Sequence, residues 1–248
     1  MSTDFYAATI VAPAKLTLSL RMTGVRSDGF HLIDAEMVTL DLHDTVRVSP
    51  GRGVQITGPF AMGIPTDADN LVSRALRLAG REAAVTIDKQ IPHGGGLGGG
   101  SADAAAVLRW AGYGDSIGAS TIGADVAFCL VGGRARVTGI GEIIEPLPLV
   151  DQWFTLVIPP LSCSTPRVYR MWDALGGPHS DHGNDLEPAA LAVEPQLVRW
   201  RDRIAEASGQ RPVLAGSGAT WFIHGAQPAL IDALPHATVV VTRTDRPS

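Results

Sequence analysis

The sequence has few cysteines and no long apolar run, and each shortage excludes a class of protein. Its 2 cysteines, Cys129 and Cys163, lie far apart and lack the paired spacing of a zinc site or a redox motif. We expect both to be reduced residues of the core or of a pocket wall. No segment approaches the roughly 20 apolar residues of a membrane span, and the amino terminus lacks a basic segment followed by an apolar run. A cytoplasmic protein is the expectation.

Clustered positive charge is also missing. The 20 Lys and Arg residues are outnumbered by 25 Asp and Glu residues, the formal net charge is -5, and no block of basic residues occurs. Because binding to a nucleic-acid backbone depends on such a block, we expect no nucleic-acid partner. A small anionic ligand is still compatible with this charge, since a local cluster of donors can act against the overall sign.

The sequence does contain enough apolar residues for a substantial core. Hydrophobic residues make up 45% of the 248 positions, which suits one large domain or two modest ones. Apolar and polar residues alternate over residues 15–22, which predicts a half-buried strand. Lys15, Thr17, Ser19 and Arg21 form the polar face of this strand, which is available for chemistry.

The remaining pattern predicts an α+β protein. Asp69 is the predicted cap of one helix, and Ser164 or Thr165 followed by Pro166 predicts the start of another. After residue 151 the order of elements resembles a split β-α-β sandwich, so we predict two domains, residues 1–150 and 151–248. Further strands are predicted at 37–42, 45–48, 54–57, 84–88, 153–158, 213–215, 220–224 and 238–242, and further helices at 70–79, 102–111, 197–207 and just after 228.

A glycine-rich segment leads directly into the predicted helix at 102–111. Six glycines surround one leucine, which lets successive backbone N–H groups converge on an anion at the positive end of the helix. We expect a phosphate-binding loop in which Leu97 anchors the backbone to the core and Ser101 caps the helix or meets phosphate or magnesium. The candidate nucleotide-binding residues of this glycine loop are Pro92, His93, Gly94, Gly95, Gly96, Leu97, Gly98, Gly99, Gly100, Ser101 and Ala102.

A flexible linker is the plain alternative for the glycine loop. Linkers of this kind usually carry several polar residues and do not run directly into an alanine-rich helix. A P-loop is excluded because no Gly-Lys-Ser/Thr ending follows the glycines. The dinucleotide-binding pattern needs an acidic residue about 20 positions further on, and Asp125, which lies about that far away, belongs to a different motif.

The segment Pro-His-Gly-Gly-Gly-Leu-Gly-Gly-Gly-Ser resembles the phosphate loop of the GHMP kinases, the superfamily of galactokinase, homoserine kinase and mevalonate kinase. Other blocks resemble the branch of this superfamily whose substrate is a cytidine diphosphate-linked methylerythritol, and they follow its order: residues 12–18, 26–31, 122–126, 139–142, 184–188 and 216–220. The resemblance implies a domain like ribosomal protein S5 domain 2, then a ferredoxin-like domain, with the active site between them. It also implies transfer of the γ-phosphate of ATP, with Mg²⁺, to the substrate's 2-hydroxyl in non-mevalonate isoprenoid biosynthesis.

The resemblance makes Lys15 and Asp125 the catalytic pair. The chemistry agrees, because a carboxylate can orient or deprotonate the attacking hydroxyl. A neighbouring ammonium keeps that carboxylate ionised and offsets charge on the transferring phosphoryl group. The alternative is an ordinary structural ion pair on a strand face.

Other residues are assigned to the substrates by the same resemblance. Phe30 and Tyr169 would stack on the two faces of the cytosine and His31 would bind its polar edge, whereas the alternative is plain core packing. Asn70 would lie near the adenine or ribose, or else cap a helix. Asp28, Thr17 and Thr165 complete the candidate substrate-binding set.

The chain also departs from the family pattern. Thr17 stands where asparagine is usual, Phe30 where tyrosine is usual, Ala102 where serine is usual and Ala127 where proline is usual, and residues 101–125 are fewer than usual. No dedicated metal cluster is visible, so the magnesium ligands are unassigned. Two alternative functions stay open: a GHMP kinase for another small alcohol, such as homoserine or a mevalonate derivative, and a catalytically silent nucleotide-binding regulator. We expect a monomer or a homodimer.

Overall fold

A computed structural model describes residues 7–246, which form two β-sheets with helices packed against them. This is the α+β class predicted from the sequence. In chain order the elements are β1 (Ala8–Val25), β2 (His31–Ser49), β3 (Gly53–Thr57), α1 (Leu71–Leu78), β4 (Ala84–Asp88), α2 (Gly99–Trp110), α3 (Ser116–Ser120), α4 (Ala124–Val131), β5 (Arg134–Gly139), β6 (Ile143–Leu147), β7 (Trp153–Ile158), α5 (Thr165–Ala174), α6 (Glu187–Val193), α7 (Gln196–Ser208), β8 (Val213–Leu214), β9 (Trp221–His224), α8 (Leu230–Ala233) and β10 (Thr238–Arg243).

The first sheet has the strand order β3-β4-β2-β5-β6, with β1 paired to β2 outside this path. All of its pairings are antiparallel except β3 with β4. The second sheet, β10-β7-β9-β8, is antiparallel throughout. The change from one sheet to the other falls between β6 and β7, and the division into domains 1–150 and 151–248 stays a prediction.

β1 and β2 form a long hairpin whose register shifts at three places, one of them between Pro13 and Lys15 and another between Thr17 and Ser19. Such irregularities bend a strand and redirect its side chains. Lys15 and Thr17 are only 4% and 2% exposed, whereas Arg21 on the same polar face is exposed. The polar face predicted from the alternation is therefore buried at its start, at Lys15 and Thr17, and exposed at its end, at Arg21.

A group of buried apolar residues joins the two halves of the chain. Leu16 and Leu40 come from the first sheet, Leu97 from the glycine loop, and Phe154 and Phe222 from the second sheet. Leu97 is almost fully buried, so it anchors the glycine loop as its position in the sequence predicts.

Several predicted boundaries need correction. The predicted strands 37–42 and 45–48 are one strand, β2, because the polar residues between them still pair with β1. The cap of α1 is Asn70 rather than Asp69, since the Asn70 side chain accepts from the backbone of Val72. α2 begins at Gly99, inside the glycine loop, rather than at residue 102. No helix within residues 7–246 is both long and apolar enough to cross a membrane.

Candidate active site

Lys15 and Asp125 form an ion pair at the centre of the candidate site. β1 carries Lys15, and the first turn of α4 carries Asp125, where the positive end of the helix favours a carboxylate. The Lys15 Nζ lies 3.2 Å from the Asp125 Oδ2 and donates to the Thr17 Oγ1 at 3.1 Å. Lys15 is buried while the Asp125 side chain is 35% exposed, so the carboxylate is the member of the pair that a substrate can reach.

The glycine loop, residues 92–101, passes directly beside this pair. The backbone N–H of Lys15 donates to the carbonyl of Leu97 at 3.0 Å. Gly98 has φ +68°, and a Cβ there would lie 2.7 Å from the Lys15 Cγ. Gly96 has φ +78°, and a Cβ there would lie 2.5 Å from the carbonyl oxygen of Ala215. Glycine is required at both positions by conformation and by space.

The start of α2 is suited to an anion. Gly98 is its N-cap and offers no side chain to the first N–H groups of the helix. Those groups lack partners inside a helix, and they add to the positive end of its dipole. With the glycines before them they form a concave row of donors of the kind that binds phosphate.

The glycine loop separates two cavities. The larger, of about 380 Å³, is lined by the loop itself together with Asn70 and Lys89, and we call it the loop cavity. The smaller, of about 230 Å³, contains Lys15 and Asp125, and we call it the pair cavity. Gly96 and Ser101 line both cavities, so the loop is a thin wall between them. Its predicted members Pro92, His93, Gly94, Gly95, Leu97, Gly98, Gly99 and Gly100 also line the loop cavity.

Asn70 lines the loop cavity but already has two hydrogen-bond partners. Its Oδ1 accepts from the backbone N–H of Val72 at 2.8 Å, and its Nδ2 donates to the carbonyl of Pro65 at 2.7 Å. The capping interpretation therefore describes its side chain, and a contact with adenine or ribose stays a prediction. Ala102 is buried in the first turn of α2, where a larger side chain would meet the core.

Three of the candidate substrate-binding residues lie in the pair cavity: Thr17, Thr165 and Tyr169. The Thr165 Oγ1 shares a hydrogen bond of 2.8 Å with the Ser217 Oγ. Burial, and to a smaller extent the charge of Asp125, raises the pKa of Tyr169 to about 12, so its hydroxyl stays neutral. The ring of His31 lies against that of Tyr169, with centroids 4.9 Å apart.

Phe30 and Asp28 lie further out. Phe30 is 55% exposed, and its ring lies beneath the guanidinium of Arg26 at 5.6 Å. Asp28 forms an exposed ion pair with the same arginine, which lowers the pKa of its carboxyl. Of the two predicted stacking rings, the structure therefore brings Tyr169 but not Phe30 into the pair cavity.

A buried charge cluster beneath the glycine loop was missed from the sequence. The Lys89 Nζ donates to the carboxylate of Asp44 and, at 2.6 Å, to that of Asp103. All three side chains are almost fully buried, and the Asp103 Oδ1 has no hydrogen-bond partner among residues 7–246. Burial is the main reason that the pKa of Asp103 is raised to about 7. The three residues lie in a loop, a strand and a helix, so no spacing in the sequence signals the cluster.

The block at residues 184–188 also has a role that its sequence does not indicate. The Asn184 Nδ2 donates to the carbonyls of Leu214 and Gly216 at 2.8 and 2.6 Å. Asp185 accepts from the backbone N–H of Met22 and from the Arg21 guanidinium. These bonds fix the Gly216 turn, where a Cβ would be 3.9 Å from the Lys15 Nζ, against β1.

Comparison with known proteins agrees with this fold and site. The sequence family described as GHMP kinases N terminal domain matches residues 70–133, which include the glycine loop and Asp125. A crystal structure of 4-(cytidine 5'-diphospho)-2C-methyl-D-erythritol kinase superposes with a TM-score of 0.76 and 30% identity, over 96% of this chain and all of that one. Two sheets with a glycine loop between two cavities, in this topology, define a GHMP kinase.

Sequence relatives identify the family within the GHMP kinases. A 4-diphosphocytidyl-2-C-methyl-D-erythritol kinase of Paracoccus denitrificans (strain Pd 1222) is 42% identical over 236 residues, 85% of this chain and 84% of that protein. One of Cereibacter sphaeroides (strain KD131 / KCTC 12085) is 39% identical over 241 residues, 85% of this chain and 87% of that protein. The chain belongs to the 4-diphosphocytidyl-2-C-methyl-D-erythritol kinase family.

Proposed function

We propose that this protein transfers the γ-phosphate of ATP to the 2-hydroxyl of 4-diphosphocytidyl-2-C-methyl-D-erythritol in isoprenoid biosynthesis. The observation that carries the proposal is the glycine loop as a wall between two cavities, with Gly96 and Ser101 on both sides. A donor substrate in the loop cavity and an alcohol in the pair cavity would meet across this wall. Phosphoryl transfer needs such an arrangement, because catalysis is chiefly positioning and charge stabilisation.

The roles of the pair follow from its geometry. Asp125 is accessible and would accept the proton of the attacking hydroxyl or orient that hydroxyl. The Lys15 ammonium, held by Thr17 and Asp125, would offset negative charge on the phosphoryl group as it moves. The donors at the start of α2 would hold the phosphates, and the neutral Tyr169 would offer the base a flat face.

Magnesium is compatible with these residues. No group of three or more His, Cys, Asp or Glu side chains suited to a metal occurs within residues 7–246. Mg²⁺ does not need one, because it usually binds through one or two protein oxygens, with water and phosphate oxygens completing its shell. The Ser101 hydroxyl, in the first turn of α2, would hold it, and it would supply charge neutralisation for the phosphates.

The remaining assignments are part of the proposal. Domains of residues 1–150 and 151–248 would each contribute one sheet, with the substrate sites between them. The protein would work in the cytoplasm as a monomer or a homodimer, without a nucleic-acid partner.

A substrate-choice assay tests the proposed function. Purified protein is given MgATP and, in separate reactions, the cytidylated methylerythritol, homoserine or mevalonate, and ADP release is followed. We expect the highest kcat/KM with the cytidylated alcohol. A preference for homoserine or mevalonate would mean that the protein is a GHMP kinase with a different alcohol as its substrate. ATP binding without turnover of any alcohol would favour the silent regulator.

A further inference from the structure

His31 and Asp173 form a hydrogen-bonded pair beside the pair cavity. His31 begins β2 and Asp173 lies in α5, so the pair joins the two halves of the chain. The His31 Nε2 lies 2.8 Å from the Asp173 Oδ1, and the histidine side chain is only 13% exposed. Tyr169 both lines the pair cavity and contacts the His31 ring, so His31 lies directly beside a residue of the cavity wall.

The imidazole of His31 is held on several sides. Its centroid lies 4.9 Å from that of Tyr169 and 5.7 Å from that of Trp172, the latter edge-on. Trp172 is itself fixed, because its Nε1 donates to the carbonyl of Pro178 at 2.9 Å. Trp172 and Asp173 lie three and four residues after Tyr169 on α5, so each of them neighbours Tyr169 on the helix surface. The packing fixes the plane of the ring, and Asp173 fixes which nitrogen carries the hydrogen.

The choice of tautomer follows from elementary chemistry. An ionised carboxylate can only accept a hydrogen bond, so the Nε2 that faces it must carry the hydrogen. In a neutral imidazole the other nitrogen, Nδ1, then has a free lone pair and can only accept. Within residues 7–246, Nε2 is the ring nitrogen of His31 that has a protein partner, which leaves Nδ1 for a ligand.

We propose that Asp173 determines base specificity by fixing His31 in the Nε2–H form. The acceptor Nδ1 then fits the exocyclic amino group of cytosine and rejects the carbonyl oxygen that uracil has at the same position. The proposal rests on the proposed function and deepens it, since it explains why the enzyme takes a cytidylated alcohol and not a uridylated one. Asp173 acts through His31 and is a positioning residue.

The decisive variant is Asp173→Asn, which keeps the shape of the side chain. An amide can donate as well as accept, so it no longer forces the hydrogen onto Nε2. The ratio of kcat/KM for the cytidylated substrate to that for its uridylated analogue should fall about tenfold, the scale of one base-edge hydrogen bond. The change should appear in KM for the cytidylated substrate, with kcat and KM for ATP within about twofold of wild type. Asp173→Glu, which restores a carboxylate, should recover part of the preference.

The matched control is Asp232→Asn, which removes the same charge from an exposed position on α8 and should leave the ratio unchanged. Nitrogen-15 NMR of the His31 ring above pH 8 gives a second readout. Wild type should show hydrogen on Nε2 and a bare Nδ1, and Asp173→Asn should show a mixture. Hydrogen on Nδ1 in wild type would overturn the proposal.

Calorimetry with cytidine diphosphate and uridine diphosphate separates this inference from the proposed function. A preference for cytidine diphosphate that is lost in Asp173→Asn supports the inference even if no alcohol is phosphorylated. A preference that is equal in both folded proteins overturns it, even if the wild-type enzyme turns over the cytidylated substrate as proposed.

Discussion

The backbone N–H of Lys15 donates to the carbonyl of Leu97 at 3.0 Å, so β1 and the glycine loop are joined by a direct hydrogen bond. Side-chain contact reinforces this bond, because the Lys15 Cγ occupies the space that a Cβ at Gly98 would need. A change in either segment must therefore move the other. The Lys15 ammonium and the glycine loop that we propose to bind the phosphates are therefore positioned together.

Substitution of Gly98 tests this relationship. Gly98→Ala requires an unfavourable φ and a clash 2.7 Å from the Lys15 Cγ, so both ATP affinity and turnover should fall by at least tenfold. Gly209→Ala is the matched control, since Gly209 has φ +69° but open space around it. The Gly209→Ala protein should lose about 1 kcal/mol of stability and keep its ATP affinity and turnover. ATP binding is measured by calorimetry and unfolding by urea. Equal ATP binding in both folded variants would show that the loop does not hold the nucleotide.

Asp125→Asn tests the chemistry. The amide keeps the shape of the side chain but cannot accept the hydroxyl proton, so kcat should drop by at least about 100-fold. KM for both substrates should change much less. Asp151→Asn, at an exposed position, should leave kcat unaltered. A steady-state kcat within a few-fold of wild type would make the Lys15–Asp125 pair structural.

Tyr169→Ala tests the alcohol side. Removal of the ring should weaken binding of the cytidylated substrate by about 1–3 kcal/mol, the usual scale for one stacked base, while ATP affinity stays the same. Tyr169→Phe retains the flat face and should bind the substrate nearly as well as wild type. The proposed base site is wrong if the Tyr169→Ala protein is folded and its KM for the cytidylated substrate equals that of wild type.

The raised pKa of Asp103 predicts a pH effect on stability. Its folded pKa of about 7 lies above the unfolded value of about 3.9, so the folded protein holds the proton more tightly. The resulting stabilisation is full below about pH 4 and is lost as the pH rises through 7. Asp103→Asn keeps the shape of the protonated side chain but cannot titrate, so its free energy of unfolding should fall less between low and high pH. The free energy of unfolding of both proteins is measured with urea at pH 5 and at pH 8. If it changes equally between the two pH values in wild type and in Asp103→Asn, the raised pKa does not belong to Asp103.

Local patterns in the sequence predicted much of the fold. The alternation over residues 15–22 gave a strand, and the start of α5 followed from Ser164 and Pro166. α4 was missed because its residues are apolar on nearly every side, so no periodic face marks it. β5 and β6 were missed because each is short and carries charged or proline residues among the apolar ones.

The candidate site was likewise predicted only in part. The glycine loop was recognisable because its composition and its position before a helix are both local features. The Asp44–Lys89–Asp103 cluster and the His31–Asp173 pair depend on contacts between residues 14 to 142 positions apart, which only the folded chain brings together. Phe30 is the opposite case. Its sequence block resembles a base-binding one, but in the structure its ring is largely exposed and lies beside Arg26.

The burial of Leu97 between the two sheets has a consequence for ligand capture. A glycine-rich segment on its own would sample many conformations, and a ligand that ordered it would lose affinity to that entropy cost. Here the cost of ordering is met when the protein folds, because one leucine ties the loop to residues from both halves of the chain. The loop that we propose as the phosphate site is thus ordered by the fold itself, so ATP would not lose affinity to the ordering of this segment.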